Sequence, residues 1–315
     1  MEVSPYDTLV VPERHSQVAS FWFSQARRHL IDLEIGTKSD LIGSDEDPID
    51  FSVNFMIQLV LPRAERIRSL HLSFGEFDDI ILFLQYQDDD HPYHVWSFPN
   101  LEYLTIDLRF GNLAGEESLR ALQFMPKLHT VDLRVSSGIE HNELDIHLPW
   151  SQLTSLTIQV LPECPFRVLM TQCLALETGY FSIEIDPGNG LPTTLARLTS
   201  LHIHFLGPSN FSIFDGIYFP ALDDFMVHLA PGNFVWTAPE HMFRQLASIT
   251  TLSLGARIAA ADMINILRAT KNVTTFKIEF EDGHGEVFKA LTLGGGQGGS
   301  PSKTGRDACP DEFPP

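Results

Sequence analysis

Residues 101–108 read LEYLTIDL: an apolar residue, two variable ones, a second apolar residue, and then apolar and polar residues in alternation. Leu104, Ile106 and Leu108 set against Thr105, Asp107 and Arg109 give the period of two that marks a strand with one buried face. Closely similar copies stand at 128–135 (LHTVDLRV), 153–160 (LTSLTIQV) and 198–205 (LTSLHIHF). The pattern apolar-x-x-apolar-x-apolar begins at Leu30, Ile67, Leu101, Leu128, Leu153, Leu198, Leu222, Ile249 and Val273. A degenerate copy begins at Leu176, where Gly179 takes the second apolar place while Phe181 and Ile183 stay in phase. Successive copies are 37, 34, 27, 25, 23, 22, 24, 27 and 24 residues apart.

The stretches between these strands supply a return path. Helical spacing of apolar residues runs over 51–61, 78–86, 117–125, 166–174, 240–246 and 262–269. In the last of these Asp262 is placed to cap a helix, and Met263, Ile266 and Leu267 share one face. Pro99, Pro126 and Pro220 each stand two residues before a strand's first apolar position, where they are expected to end the preceding helix. Same-sense strands joined by helices on one side stack into a curved parallel sheet.

This pattern resembles the leucine-rich-repeat superfamily, whose units run to about 20–29 residues. The resemblance implies an α/β fold, an irregular leucine-rich-repeat solenoid or horseshoe with parallel strands on its concave face and helices on its convex face. The expected organisation is a cap or post-F-box segment over 1–29, a solenoid of about ten units over 30–293, and a disordered tail over 294–315, where Gly, Ser, Pro and charges predominate. The ninth position of each unit, an Asn or Cys in the superfamily, is Gly75, Arg109, Ser136, Leu161, Leu206, Ala230 or Arg257 here. Bridging between units is therefore expected to be weak and the ends least regular.

The opening FWFSQARRHLIDLEIG from Phe21, with RIRSLHLSF from Arg66, FPNLEYLTI from Phe98 and LPWSQLTSLTI from Leu148, looks like the fungal F-box/leucine-rich-repeat proteins. In that family an N-terminal helix bundle docks on the adaptor of a cullin ubiquitin ligase and the repeats receive a substrate. The match covers Phe21 to about Phe280, and no stretch before Phe21 is long enough for the F-box itself. Either the sequence begins after its F-box or the chain resembles relatives that keep only the repeats. No adaptor-docking residue carries over. The resemblance implies a non-enzymatic scaffold, the substrate-binding repeat domain of an F-box-like ligase subunit. The alternative is a stand-alone repeat inhibitor or assembly scaffold. The partner is a protein, and the ligase adaptor only if an F-box lies upstream.

Composition narrows the classes. The chain has 315 residues, 43% of them hydrophobic, enough for a packed core. Its 21 basic residues against 41 acidic ones give a net charge of −20, which argues against nucleic acid and anionic membrane as partners. Cys164, Cys173 and Cys309 form no CxxC pair, so neither a disulfide framework nor a Cys-rich zinc site is expected. With no basic start leading into an apolar stretch, the expected location is cytoplasmic or nuclear.

Alternation also names the side chains that face outward. One row runs Glu34, His71, Thr105, Asp132, Thr157, Tyr180, His202, Met226, Ser253 and Lys277. A second runs Gly36, Ser73, Asp107, Arg134, Gln159, Ser182, His204, His228, Gly255 and Glu279. This mixed surface suits protein recognition, with Tyr180, Met226 and Arg134 as anchors by residue type. The candidate binding face therefore comprises His71, Thr105, Asp107, Asp132, Arg134, Gln159, Tyr180, His202, His204, Met226 and His228. Acidic runs at 45–47 with Asp50, at 88–90, and at Glu279, Glu281 and Asp282 read as solvated connections or, if they line one rim, as a field that steers basic partners. Metal sites at His202, His204 and His228, or at His91 and His94 beside 88–90, lack supporting carboxylates or a rigid frame. No GxSxG, HExxH or GxGxxG motif occurs, and the Gly-rich 298–304 lacks the Gly before Lys303 that a phosphate loop needs. No cofactor is expected.

Overall fold

An alternating segment buries its apolar face most completely when like segments lie beside it, and ten copies of the motif do so. The computed structural model describes residues 21, 23–26, 29–36, 60–76, 97–110, 124–135, 148–161, 166–183, 191–206, 211–229, 245–255 and 266–279. One sheet contains β1 (Ile31–Gly36), β2 (Ile67–Glu76), β3 (Tyr103–Phe110), β4 (Thr130–Val135), β5 (Ser155–Leu161) and β6 (Thr178–Ile183). It continues through β8 (Ser200–Phe205), β10 (Asp224–Leu229), β11 (Thr251–Gly255) and β12 (Thr275–Glu279). Every neighbouring pair is parallel, and the strand order follows the chain. A second sheet pairs β7 (Thr193–Thr194) with β9 (Ile217–Tyr218). The molecule is thus mixed α/β, and no helix among the described residues is long and apolar enough to cross a membrane.

Register places like on like. Leu104, Val131 and Leu156 lie side by side, as do Ile106, Leu133 and Ile158, and all are buried in one continuous core. Each such aliphatic side chain contributes about 1.5–3 kcal/mol by leaving water. Two departures correct the sequence reading. In the first unit Leu30 is 48% exposed and Ile31 2%, so Ile31 takes the first apolar place opposite Ile67, through a one-residue irregularity after it. Between β5 and β6 the register shifts after Ile158, so Gln159 has no paired partner in Ser182.

The repeat also begins three residues earlier than alternation alone suggests. In eight successive units the first apolar N–H donates to the carbonyl three residues back: Leu101 to Phe98, Leu128 to Met125, Leu153 to Trp150, Leu176 to Cys173, Leu198 to Leu195, Leu222 to Phe219, Ile249 to Leu246, and Val273 to Thr270. All but the half-buried Trp150 are buried at that turn position. Pro99, Pro126 and Pro220 occupy the second residue of these turns, where a fixed φ favours the bend. The residues just before them, 97–98, 124–125 and 217–219, are not helical, so these prolines shape a turn and do not end a helix.

Inter-unit bridging is strong, and it lies before the strands. Thr154 O accepts the N–H groups of Glu177 and Thr178, Glu177 O those of Thr199 and Ser200, Thr199 O those of Asp223 and Asp224, and Asp223 O those of Thr250 and Thr251. Side chains just ahead of the first apolar position add to this. Asn100 donates to Glu65 O, Gln152 to Met125 O and Leu128 O, Ser248 to Leu222 O, and Asn272 to Ala247 O. Bridging between units is therefore stronger than expected, and its side chains stand at the start of the strand and not at the ninth position.

Gln245 extends the same device to the small sheet. Its amide donates to Ile217 O at 2.8 Å and accepts from Phe219 N–H at 3.0 Å, pairing with β9 as another strand would. Gln245→Ala leaves two half-buried backbone groups without these bonds. It is expected to lower stability by about 1–3 kcal/mol in urea unfolding, while Gln245→Glu keeps only the acceptor and loses part of that.

Helix α1 (Phe166–Gln172) forms where helical spacing is expected at 166–174 and buries Phe166, Leu169 and Met170. Residues 266–269 are helical within the expected 262–269, with Ile266 buried. The expected helices at 51–61, 78–86, 117–125 and 240–246 lie wholly or mostly outside the described residues, as do 1–20, the acidic runs at 45–47 and 88–90, His91, His94, and the tail over 294–315.

Candidate functional site

The first outward row is continuous across the sheet, and the second is offset once, between β5 and β6. Glu34, His71, Thr105, Asp132, Thr157, Tyr180, His202, Met226, Ser253 and Lys277 pair in series over all ten strands. The second row pairs from Gly36 through Ser73, Asp107 and Arg134 to Gln159, and again from Ser182 through His204, His228 and Gly255 to Glu279. All eleven candidate residues therefore lie on one face, apart from the offset between Gln159 and Ser182. His71, Thr105, Asp107, Asp132, Gln159, Tyr180, His202, His204, Met226 and His228 are half-buried, and Arg134 is exposed.

A third outward row completes the face, and the sequence reading missed it. Asp32, Ser69, Tyr103, Thr130, Ser155, Thr178, Ser200, Asp224, Thr251 and Thr275 pair in series, two residues before the first row. The signal was present, since the same alternation extends one step back past the second apolar residue.

Over β1–β4 the face is charged and bonded within itself. Arg68 grips Asp32 with both ends of its fork, at 3.0 and 2.5 Å. Arg134 folds onto Asp132 of its own strand, Nη2 to Oδ2 at 2.6 Å, and lies beside Asp107. The Asp132 hydrogen bond, with the charges of Asp132 and Asp107, holds the Arg134 guanidinium more firmly protonated than usual. Glu34 lies 3.6 Å from His71 Nδ1. His71 Nε2 and Asp132 Oδ1, on either side of Thr105, are covered and have no hydrogen-bond partner among the described residues.

Over β6–β11 the character changes to rings. Tyr180 meets His202 edge-on at 6.2 Å between centroids, and His204 meets His228 likewise at 6.1 Å. Burial, and then the neighbouring His228, lower the His204 pKa below the ordinary histidine value. Small residues make room for these rings: Ser182 and Ser253 are buried, and a Cβ on Gly255 would stand 2.4 Å from His228 Nδ1.

Ser200, His202 and Asp224 meet in a knot. His202 Nε2 is 3.1 Å from Asp224 Oδ2 and 3.4 Å from Ser200 Oγ, while Ser200 donates to the same Asp224 oxygen at 3.2 Å. A nucleophilic relay needs the two ring nitrogens to serve different partners, with the serine proton aimed at the imidazole. Here one nitrogen meets both groups and the serine proton goes to the carboxylate, so the knot orients His202 without activating Ser200. Among the described residues no group of three or more His, Cys, Asp or Glu side chains is gathered as a metal site.

Compared with family models, with curated proteins and with solved structures, the chain matches none.

Proposed function

We propose that the ten-stranded sheet is the strand layer of an irregular leucine-rich-repeat solenoid, a horseshoe with helices on its convex side, and that the chain is a non-enzymatic scaffold that recognises another protein. The observation that carries this reading is the outward face: ten parallel strands in chain order present a broad, mixed polar and aromatic surface, with one row paired across all ten strands. Such a face favours an extended protein contact over a closed small-molecule site. The self-bonded charge over β1–β4 is a pre-set frame, since Arg68 and Arg134 need not be ordered on binding. The likeness of 21–280 to the F-box/leucine-rich-repeat proteins supports the narrower reading, a substrate receptor of a ubiquitin ligase.

The test is affinity capture from cell extract, read by mass spectrometry, with this chain, with any upstream coding sequence added, and with a Tyr180→Ala/Met226→Ala face variant. A ligase adaptor recovered only by the longer form supports the ligase role. One abundant partner recovered by both forms without adaptor points to the stand-alone scaffold. In either case the face variant is expected to lose the partner while keeping its unfolding midpoint; equal recovery by the variant refutes recognition through this face.

A further inference from the structure

The charge of the outward face is gathered at one end. Within its three rows β1–β4 hold the carboxylates Asp32, Glu34, Asp107 and Asp132, whereas β5, β6, β8, β10 and β11 together hold Asp224 alone. Against the four carboxylates stand two guanidinium groups, Arg134 of the second row and Arg68, which reaches over to Asp32. We infer that this acidic end of the face receives a Lys- or Arg-bearing segment of the partner protein, extended across the strands. The inference deepens the recognition reading above and rests on it.

Charge selects the occupant. Carboxylates outnumber guanidinium groups two to one over β1–β4, on a chain of net charge −20, so the field there draws cations in. The two arginines register that field. The hydrogen bond to Asp32 and then its charge hold Arg68 more firmly protonated than usual, and the bond to Asp132, with the charges of Asp132 and Asp107, does the same for Arg134. Bonding capacity is left over as well. Arg134 places both of its bonds on Asp132 Oδ2, and Oδ1 has no partner among the described residues. Glu34, 46% exposed, has His71 Nδ1 at 3.6 Å, beyond hydrogen-bond reach. An acidic segment laid here is repelled. An uncharged one takes these carboxylates out of water and returns no charge, which costs free energy. A Lys or Arg segment returns both a charge and donors, and the arginines already bonded to Asp32 and Asp132 need no ordering to receive it.

The register sets the spacing of the segment. Glu34 and Asp132 stand in the same row on β1 and β4, three strand gaps or about 14 Å apart. An extended chain advances about 3.3 Å per residue and turns every second side chain to the same side. Cations at positions i and i+4 of one extended segment therefore reach both carboxylates, with Asp107 in the next row beside the second of them.

The probe is a phage-displayed library of random short peptides selected on the immobilised full chain, with the best binder synthesised and titrated. Expected binders carry Lys or Arg four residues apart, and their affinity falls about fivefold or more between about 0.05 M and about 0.3 M salt. Replacing those two peptide cations by Gln, or making Glu34→Gln/Asp107→Asn in the protein, is expected to weaken binding about tenfold, and the two changes together by less than the product of the separate losses. The unfolding midpoint of the protein variant is expected to stay in place; Glu34→Gln alone, on an exposed side chain, keeps the test readable if the Asp107 change lowers it. Glu65→Gln/Asp223→Asn removes the same charge from two exposed residues outside the outward rows and is expected to change affinity by less than about twofold. An equal loss in that control would mean that net charge alone attracts the peptide, and the inference would fall. Uncharged or acidic binders would overturn it, as would basic binders lost in Tyr180→Ala/Met226→Ala and kept in Glu34→Gln/Asp107→Asn; in these cases recognition by the face stands. If no binder responds to any outward-face substitution, the recognition reading fails and the inference fails with it.

Discussion

Leu156→Asp is expected to unfold the protein, whereas Thr157→Asp, one residue along the same strand, is expected to leave its unfolding midpoint nearly in place. Leu156 is 1% exposed and lies between Val131 and Gly179 in the continuous core. A carboxylate there has no cation within the apolar stack, and burying it unpaired costs more than about 4–5 kcal/mol, a large part of the roughly 5–15 kcal/mol that holds a domain folded. Thr157 points outward between Asp132 and Tyr180. Its replacement by Asp adds only repulsion from Asp132 across the strand gap, less than about 1 kcal/mol. Leu104→Asp and Thr105→Asp form the equivalent pair two strands away. Thermal and urea unfolding of the four variants decide the matter: similar losses at inward and outward sites would mean that the assigned alternation is wrong.

The strands and their faces were legible because period two is a local property. Each copy carries its own alternation, so Leu104, Ile106 and Thr105 could be assigned without knowing what lay beside them. Side-by-side placement was legible from recurrence alone, and the first two outward rows followed from it. The edges of the pattern were not. Leu30 and Ile31 are both apolar, and only pairing with Ile67 decides which is buried. The turn residues Phe98, Met125 and Phe219 are apolar three places before the strand's first apolar residue, a spacing that also fits a helix, so from sequence alone the prolines after them look like helix ends. The side chains that bridge the units are Asn100, Gln152, Ser248 and Asn272, at positions that carry no alternation signal. The Ser200–His202–Asp224 knot is hidden for a related reason: it joins two residues of the third row, Ser200 and Asp224, to one of the first, His202, across two strands, and only the register brings them together.

Gly179→Leu would restore the consensus apolar residue to the degenerate unit, and it is expected to destabilise the protein by about 3 kcal/mol, the upper end for overpacking. The reason lies in what has filled the vacated space. A Cβ on Gly179 would stand 2.6 Å from Phe181 Cε2 and 3.2 Å from its Cζ, so the Phe181 ring lies where a side chain at 179 would begin. That ring cannot readily withdraw. It packs edge-on against Phe166 at 5.1 Å, Phe166 meets Phe214 at 6.3 Å, and Phe214 in turn meets Phe219 and Phe225 at 6.0 and 6.1 Å. All five are buried, and they join α1 and the short 3-10 turn at Phe211–Phe214 to the sheet. Moving Phe181 therefore disturbs the seat of α1, which meets β6 through Phe166. The unit has exchanged a leucine at its second place for a larger ring at its third, and the two positions act as a pair. Phe181→Leu alone is expected to leave a cavity and lose about 1–3 kcal/mol. The double variant Gly179→Leu/Phe181→Leu, which rebuilds the pattern of the neighbouring units, is expected to be more stable than the sum of the two losses allows, with a coupling of about 1–3 kcal/mol in a double-mutant cycle. Additive losses would mean that Gly179 is needed for its backbone and not for the room it leaves to Phe181.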